Sequence, residues 1–121
     1  MIELKIDPVP KPRMTRSDIW KHRPIVDRYY AFKDHLVALC NLQHFELPDK
    51  YKVEFFIAMP DSWSLTKRKS LEGTPHQQKP DLDNLLKAIQ DCLLTKDEGV
   101  YHIEATKYWW EEGKIIFYNV K

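Results

Sequence analysis

The fold of this chain is best argued from Lys79-Pro80-Asp81-Leu82-Asp83-Asn84-Leu85-Leu86-Lys87-Ala88-Ile89-Gln90-Asp91. Apolar residues at positions 82, 85, 86, 89 and 93 follow the spacing of one buried helix face, which predicts a helix over about 81–94. On the opposite face, Asp83, Lys87 and Asp91 recur every four residues and therefore stack above one another. Asp81 precedes this face where the helix begins. Two carboxylates at a helix start, followed by an in-line lysine, indicate a magnesium and phosphate site.

Length and composition indicate one globular domain spanning residues 1–121, because 121 residues can bury one core but not two. No apolar run approaches the length of a membrane span, so we expect no membrane partner. Charged residues near the start, including Glu3 and Lys5, argue against a signal sequence. Cys40 and Cys92 lie far apart with no metal-ligand spacing, which predicts reduced core thiols and a cytoplasmic location.

The near-neutral net charge of +1 hides an asymmetry along the chain. Residues 1–79 carry 14 Lys and Arg against 10 Asp and Glu, whereas residues 80–121 carry 5 against 8. The positive excess falls in two loop-like stretches, whose candidate polyanion-binding residues are Lys11, Arg13, Arg16, Lys67, Arg68, Lys69 and Lys79. Basic loops beside carboxylates suit a metal-dependent enzyme acting on a polyanion, although either loop alone could simply be solvated.

The remaining patterns predict a mixed α/β fold with a single sheet of about four strands and two main helices packed on it. A short first strand over 2–6 precedes an irregular segment punctuated by Pro8, Pro10, Pro12 and Pro24. The later predicted elements are a helix over 29–42, a strand over 51–59, a short helix capped by Ser62 or Ser64 and ending at Gly73, the helix over 81–94, and two strands over 100–110 and 115–120. We expect the last two strands to form an antiparallel hairpin through residues 111–114.

The Asp-x-Asp motif fits other kinds of site less well. Asp81 or Asp83 could serve only as a helix N-cap, but one residue would suffice for that role. A calcium loop would need its third ligand and its glycine where Leu85 and Leu86 stand. No nucleotide-binding βαβ unit precedes the motif, as a nucleotide-sugar transferase would require. The five histidines show no zinc spacing, so the hard oxygen donors favour Mg²⁺, with Mn²⁺ as a substitute.

The motif through Asp91 resembles the signature of the RusA family of Holliday-junction resolvases, small endonucleases encoded by phages and bacteria. Two further stretches are similar to one branch of that family: Pro10-Lys11-Pro12-Arg13-Met14-Thr15-Arg16, and the segment from Met59-Pro60 to Lys79 with its Trp63, Lys67-Arg68-Lys69 and Pro75-His76-Gln77-Gln78. The resemblance therefore covers most of the chain. It implies cleavage of branched DNA, specifically four-way junctions, that leaves 5′-phosphate products, and it implies a homodimer matched to the two-fold symmetry of the substrate.

The resemblance also implies roles for individual residues. Asp81 and Asp83 would bind Mg²⁺, and Lys87, one turn further along the helix, would be needed for cleavage. Aligning the following strand by its terminal Lys107 places the third metal-binding aspartate on Asp97, with Glu98 as the second choice.

Several supporting roles stay open at this point. We expect Asp91 to hold Lys87 through its i+4 spacing, and Asn84 either to bond a ligating carboxylate or to cap the helix. Trp63, Trp109 and Trp110 fit core or dimer packing better than base stacking. Two alternatives to a junction resolvase are a nuclease with a broader substrate range that includes flaps and replication forks, and a junction-binding protein that does not cleave.

Overall fold

The computed structural model describes residues 1–13, 15 and 23–119. Four strands and three helices follow one another along this part of the chain: β1 (Ile2–Leu4), α1 (Pro24–Leu42), β2 (Lys50–Ala58), α2 (Leu65–Leu71), α3 (Leu82–Leu93), β3 (His102–Trp110) and β4 (Lys114–Asn119). The strands form one four-stranded sheet, which confirms the predicted mixed α/β class.

The sheet has the strand order β1-β4-β2-β3. β4 runs antiparallel to both β1 and β2, whereas β2 and β3 are parallel. Val53 in the middle of β2 pairs with Phe117 of β4 on one side and with Ala105 of β3 on the other. A parallel pair needs a long crossover connection, and here the chain between β2 and β3 contains α2 and α3.

The predicted hairpin between the last two strands is wrong, because β2 lies between β3 and β4. The short connection over residues 111–113 passes across the end of β2, where Ala58 pairs with Trp110. A Cβ at Gly113 would lie 2.7 Å from the Cα of Asp7, so the connection also packs against the chain that follows β1. Sequence alone cannot separate this bridge from a hairpin, because both need only a few polar residues and a glycine.

The hydrophobic core lies between one face of the sheet and the helices α1 and α3. Tyr51, Val53 and Phe55 alternate along β2 and are fully buried on this face. The helices contribute Tyr29, Phe32, Leu36, Cys40, Leu85, Ala88, Ile89 and Cys92. Burying each large apolar side chain contributes about 1.5–3 kcal/mol. This packing fixes which side of α3 faces the sheet and leaves Asp83 and Lys87 on its exposed side.

Two helix starts show how local sequence acts. Pro24, expected within the irregular segment, is instead the first residue of α1, where its missing N–H costs no hydrogen bond. Ser64 caps α2, because its Oγ accepts a hydrogen bond of 3.2 Å from the Lys67 N–H. Gly73 follows α2 with a φ of +78°, a conformation that favours glycine.

The second face of the sheet carries a half-buried aromatic row. Phe56 stacks on Tyr108 with ring centroids 5.4 Å apart and meets Trp110 edge-on at 5.7 Å. The Lys114 ammonium lies 4.6 Å above the Phe56 ring.

Within the described residues, no helix has both the length and the hydropathy needed to cross a bilayer.

Candidate active site

Asp81 occupies the N-cap position of α3, but its carboxylate does not cap the helix. Its backbone is extended, with φ −68° and ψ 144°, and its side chain makes no capping hydrogen bond. Asp83 lies in the first helical turn, and both residues are exposed. The positive end of the helix dipole favours negative charge at this point. Asp81 therefore stands at the N-cap position while its carboxylate remains available to a ligand.

Lys87 lies one turn beyond Asp83 on the exposed side of α3. Its Nζ is 3.7 Å from Asp83 Oδ2, and the two side chains are 64% and 70% exposed. A solvent-exposed pair of this kind contributes at most about 1 kcal/mol, so a phosphate or a metal ion can displace either partner. The pair sets a cation beside Asp83, the second carboxylate of the motif.

The loop that leads into α3 is held by Lys107 of β3. Its Nζ donates hydrogen bonds to two backbone carbonyl oxygens, that of Gln78 at 2.6 Å and that of Pro80 at 2.8 Å. The Lys79–Pro80 peptide bond between these anchors is cis. Because Pro80 directly precedes Asp81, Lys107 ties the start of the motif to the edge strand of the sheet.

Asp91 does not bond Lys87, so the predicted pairing of these two residues is wrong. Its carboxylate instead accepts hydrogen bonds from the Tyr29 hydroxyl of α1 and from Lys11 Nζ, the latter at 3.1 Å. The Tyr29 bond, followed by Lys11, lowers the pKa of Asp91, although partial burial opposes this. Burial first, and then the bond to Asp91, raises the pKa of Tyr29. Asp91 is therefore an ionised anchor between three parts of the chain.

The same anchor draws the N-terminal basic segment onto α3. The backbone N–H of Lys11 donates to the carbonyl oxygen of Asn84 at 3.2 Å, so both the main chain and the side chain of Lys11 bind this helix. The contact that the structure gives Asn84 uses its main chain; the two roles predicted for its side chain stay predictions. Arg13, two residues further along, is exposed and accepts a hydrogen bond from Arg23 through its carbonyl oxygen.

A cavity of about 170 Å³ lies beside α3 and brings together both signs of charge. Its charged lining residues are Lys11, Lys87, Asp91 and Asp97. Glu98, the second choice for the third metal-binding residue, is exposed and does not line this cavity. The structure thus brings Asp97 near Lys87, while Asp81 and Asp83 lie outside the lining of the cavity.

The three predicted metal ligands do not form a preassembled cluster. Across residues 1–13, 15 and 23–119, no group of three or more His, Cys, Asp or Glu side chains is arranged to hold a metal ion. The chemistry of the donors still fits Mg²⁺, which prefers carboxylate oxygens. Mg²⁺ also commonly binds through one or two carboxylates together with waters and substrate phosphates. Asp81 and Asp83 can supply such a partial set.

The predicted DNA-binding residues outside α3 differ in their contacts and exposure. Arg68 donates a hydrogen bond of 2.8 Å to the Pro60 carbonyl oxygen and so supports the turn after β2. Lys67 holds its ammonium 4.2 Å above the Trp63 ring. Lys69 and Lys79 are exposed. Arg16 lies outside the described residues.

Sequence patterns give no structural role to the hydroxyl of Tyr29 or to His76. Tyr29 fits the apolar spacing of its helix, and its bond to a residue 62 positions away leaves no local signal. His76 is buried, and its Nδ1 has no hydrogen-bond partner in the described structure. Burial, and then the charge of Lys107, lower the pKa of His76. Its ring centroid lies 4.2 Å from that of Trp109.

Comparison with known proteins identifies the family. The model of the family described as Endodeoxyribonuclease RusA matches residues 5–116, which is nearly the whole chain. No curated protein and no solved structure gives a significant match. The matched range includes the exposed Asp-x-Asp at the start of α3, Lys87, the Asp91 anchor and Asp97. The chain belongs to the RusA endodeoxyribonuclease family, which implies a junction-resolving DNA endonuclease.

Proposed function

We propose that the protein resolves four-way DNA junctions by Mg²⁺-dependent cleavage, with Asp81, Asp83 and Asp97 as metal ligands and Lys87 as the catalytic cation. The observation that carries this proposal is the exposed start of α3. Asp81 stands at the N-cap without capping the helix, and Asp83 forms only a weak surface pair with Lys87. Carboxylates with no structural task at a helix N-terminus are suited to bind a cation and its phosphate ligand.

Each of these residues has a distinct task in the proposed reaction. Bound Mg²⁺ would supply the positive charge that polarises the scissile phosphate and acidifies the attacking water. Asp81 and Asp83 hold the ion at the start of α3, and Asp97 completes the donor set from the loop after this helix. Asp97 is preferred to Glu98 because it shares a cavity with Lys87. Lys87 directs its ammonium at the charge that develops on the phosphate, where a fixed cation is most effective.

The substrate is held by the basic segments on either side of α3. Lys11 and Arg13 follow the N-terminal chain, and Lys11 is fixed to α3 by Asp91. Lys67, Lys69 and Lys79 are exposed on the α2 side. Exposed cations in both segments are suited to bind the phosphates of a branched DNA. Arg16 and Arg68 complete the proposed set, although the bond of Arg68 to Pro60 gives it a structural task as well.

A homodimer is part of the proposal, because one chain carries one cleavage site and resolution needs two symmetric cuts. Of the aromatic residues on the last two strands, Trp109 and Phe117 are 7% and 1% exposed and cannot form the interface. Trp110 and Tyr118 are half-buried on the second face of the sheet, the open face that no helix covers in the described structure. This face is our candidate for the contact with the second chain, and the outer side of α1 is the alternative.

The direct test is to incubate the protein with labelled four-way, flap, fork and linear DNAs of matched sequence, with Mg²⁺ or with EDTA. We expect paired nicks in the four-way junction with 5′-phosphate ends, and none in EDTA. Preferred cutting of flaps or forks would favour the broader nuclease. Binding of the junction without any cutting in Mg²⁺ or Mn²⁺ would identify a non-cleaving junction-binding protein.

A further inference from the structure

A second cavity lies next to the loop that leads into α3 and is separate from the carboxylate site. Its volume of about 360 Å³ falls within the range of about 300–1,000 Å³ typical of small-ligand sites. The residues that give the cavity its chemistry are Trp63, Lys67, Thr74, Gln77, Gln78 and Trp109. We call it the Trp63–Trp109 pocket.

Two indole rings meet at an angle in the wall of this pocket. The ring centroids of Trp63 and Trp109 lie 4.7 Å apart, with an angle of 57° between the ring planes. Trp109 is held by the sheet and by the buried ring of His76. Trp63 is only half-buried, so part of its surface remains accessible. Trp109 thus supports Trp63 from behind, and the accessible part of the Trp63 ring offers a flat ligand a surface for stacking.

The polar groups of the pocket match a nucleotide better than an apolar ligand. Lys67 holds its ammonium over the Trp63 ring, 4.2 Å from the ring centroid, and this cation is available to a phosphate of a bound nucleotide. Gln77 and Gln78 are exposed, and their side-chain amides each present both a donor and an acceptor. Glutamine amides can form paired hydrogen bonds with the edge of a base. Thr74 uses its hydroxyl to donate to the Leu71 carbonyl oxygen, so the amides are the freer polar groups.

The position of the pocket relates it to the cleavage site. Gln78 precedes Asp81 by three residues, and Lys107 binds the carbonyl oxygens of Gln78 and Pro80 together. Three residues span at most about 11 Å of chain. One DNA strand rises about 3.4 Å per nucleotide, so Gln78 of the pocket lies at most about three nucleotide rises from Asp81 of the proposed metal site.

We propose that the Trp63–Trp109 pocket binds one unpaired nucleobase, within about three nucleotides of the scissile phosphate, and thereby contributes to the choice of cleavage sequence. Branch points favour such capture, because a base that is already unpaired or poorly stacked leaves the helix at low cost. The inference rests on the proposed nuclease function, since it takes DNA as the ligand.

The test combines single abasic sites in the DNA with substitutions in the pocket. A four-way junction is made with one tetrahydrofuran abasic residue at each position within four nucleotides of the mapped cut, and binding is measured in EDTA. We expect one or two positions at which loss of the base weakens binding by about five- to a hundredfold, the range for loss of one stacked base. Trp63→Ala should weaken binding of the intact junction to that level and abolish the effect of the abasic site.

Two further variants separate base capture from damage to the fold. Trp63→Phe keeps an aromatic face and should retain part of the discrimination, whereas Tyr101→Ala, at an exposed aromatic just before β3, should retain all of it. A 2-aminopurine at the mapped position should be quenched on binding by the wild-type protein and not by Trp63→Ala. Equal binding of all abasic junctions, or quenching that survives Trp63→Ala, would overturn the proposal.

Failure of the proposed function gives a different result. If the wild-type protein cuts junctions in Mg²⁺ but shows no dependence on any single base, the nuclease proposal stands and the pocket proposal fails. If it cuts nothing but still quenches 2-aminopurine in a single-stranded oligonucleotide through Trp63, the pocket binds a base and the nuclease proposal fails.

Discussion

Lys11 Nζ lies 3.1 Å from the Oδ1 atom of Asp91, although the two residues are 80 positions apart. The side chains are 36% and 38% exposed, and the second carboxylate oxygen of Asp91 accepts the hydrogen bond from Tyr29. One carboxylate thus joins the N-terminal segment, α1 and α3. This contact between three segments of the chain lies at the cavity that Lys87 and Asp97 also line.

We predict that Asp91→Asn lowers the free energy of unfolding at pH 7 by about 1 kcal/mol, the usual contribution of such a hydrogen bond. Because the folded state lowers the pKa of Asp91 below its ordinary 3.8, the stabilisation is full above that value. It is lost as the pH falls through the lower, folded-state pKa. Urea unfolding should show a smaller difference in unfolding free energy between the wild type and Asp91→Asn at pH 3 than at pH 7. Asp34→Asn, at an exposed position of α1, is the control, and a difference that stays constant to pH 3 would contradict the assigned pKa shift.

Asp81→Asn and Asp83→Asn should each abolish cleavage while leaving junction binding intact. The reason is that the basic segments supply the affinity, whereas these carboxylates hold the ion; removing negative charge can even tighten binding slightly. Cleavage in Mg²⁺ and gel-shift affinity in EDTA measure the two effects separately. The matched control is Asp61→Asn in the exposed turn after β2, which should cut normally. Near-normal cutting by Asp81→Asn would refute the metal site.

Lys87→Ala should lower the turnover of bound junction by about a hundredfold, the scale for losing one electrostatic stabiliser of the transition state. Affinity should change much less, because Lys87 is one of many cations near the DNA. Single-turnover kinetics at saturating protein isolate the chemical step, with Lys96→Ala as an exposed control. A variant that binds poorly but cuts normally once saturated would make Lys87 an anchoring residue.

The third ligand is tested by a pair of adjacent substitutions. Asp97→Asn should be inactive and Glu98→Gln should retain most activity, because only Asp97 lines the cavity that contains Lys87. Both variants lose one negative charge, so general electrostatic effects on DNA binding cancel in the comparison. The reverse pattern would move the metal ligand to Glu98.

The free protein should sediment at about twice the 14.5 kDa chain mass. Trp110→Ala together with Tyr118→Ala on the open sheet face should shift it toward the monomer and uncouple the two nicks in a mobile junction. Analytical ultracentrifugation and product mapping measure these effects. A wild-type protein that is monomeric at micromolar concentration and nicks one strand only would favour a general structure-specific nuclease.

Local sequence was sufficient for the elements themselves. The apolar spacing around Leu85 and Ile89 predicts α3, and the structure buries both residues against the sheet. Ser64 and Gly73 mark the ends of the short helix α2 through capping and a positive φ, which depend on neighbouring residues only. The exposed side of α3, with Asp83 and Lys87 one turn apart, follows from the same periodicity.

Long-range pairing is what only the tertiary structure decided. The insertion of β2 between β3 and β4 depends on which strands bury their faces together, and residues 111–113 do not encode it. Asp91 pairs with Lys11 and Tyr29 instead of Lys87 because packing of α1 and the N-terminal segment brings these two partners within hydrogen-bonding distance. The anchoring of the Asp81 loop by Lys107 and the meeting of Trp63 with Trp109 likewise join distant positions. Sequence periodicity thus determined which side chains share a helix face, whereas packing across the sheet determined which side chains meet.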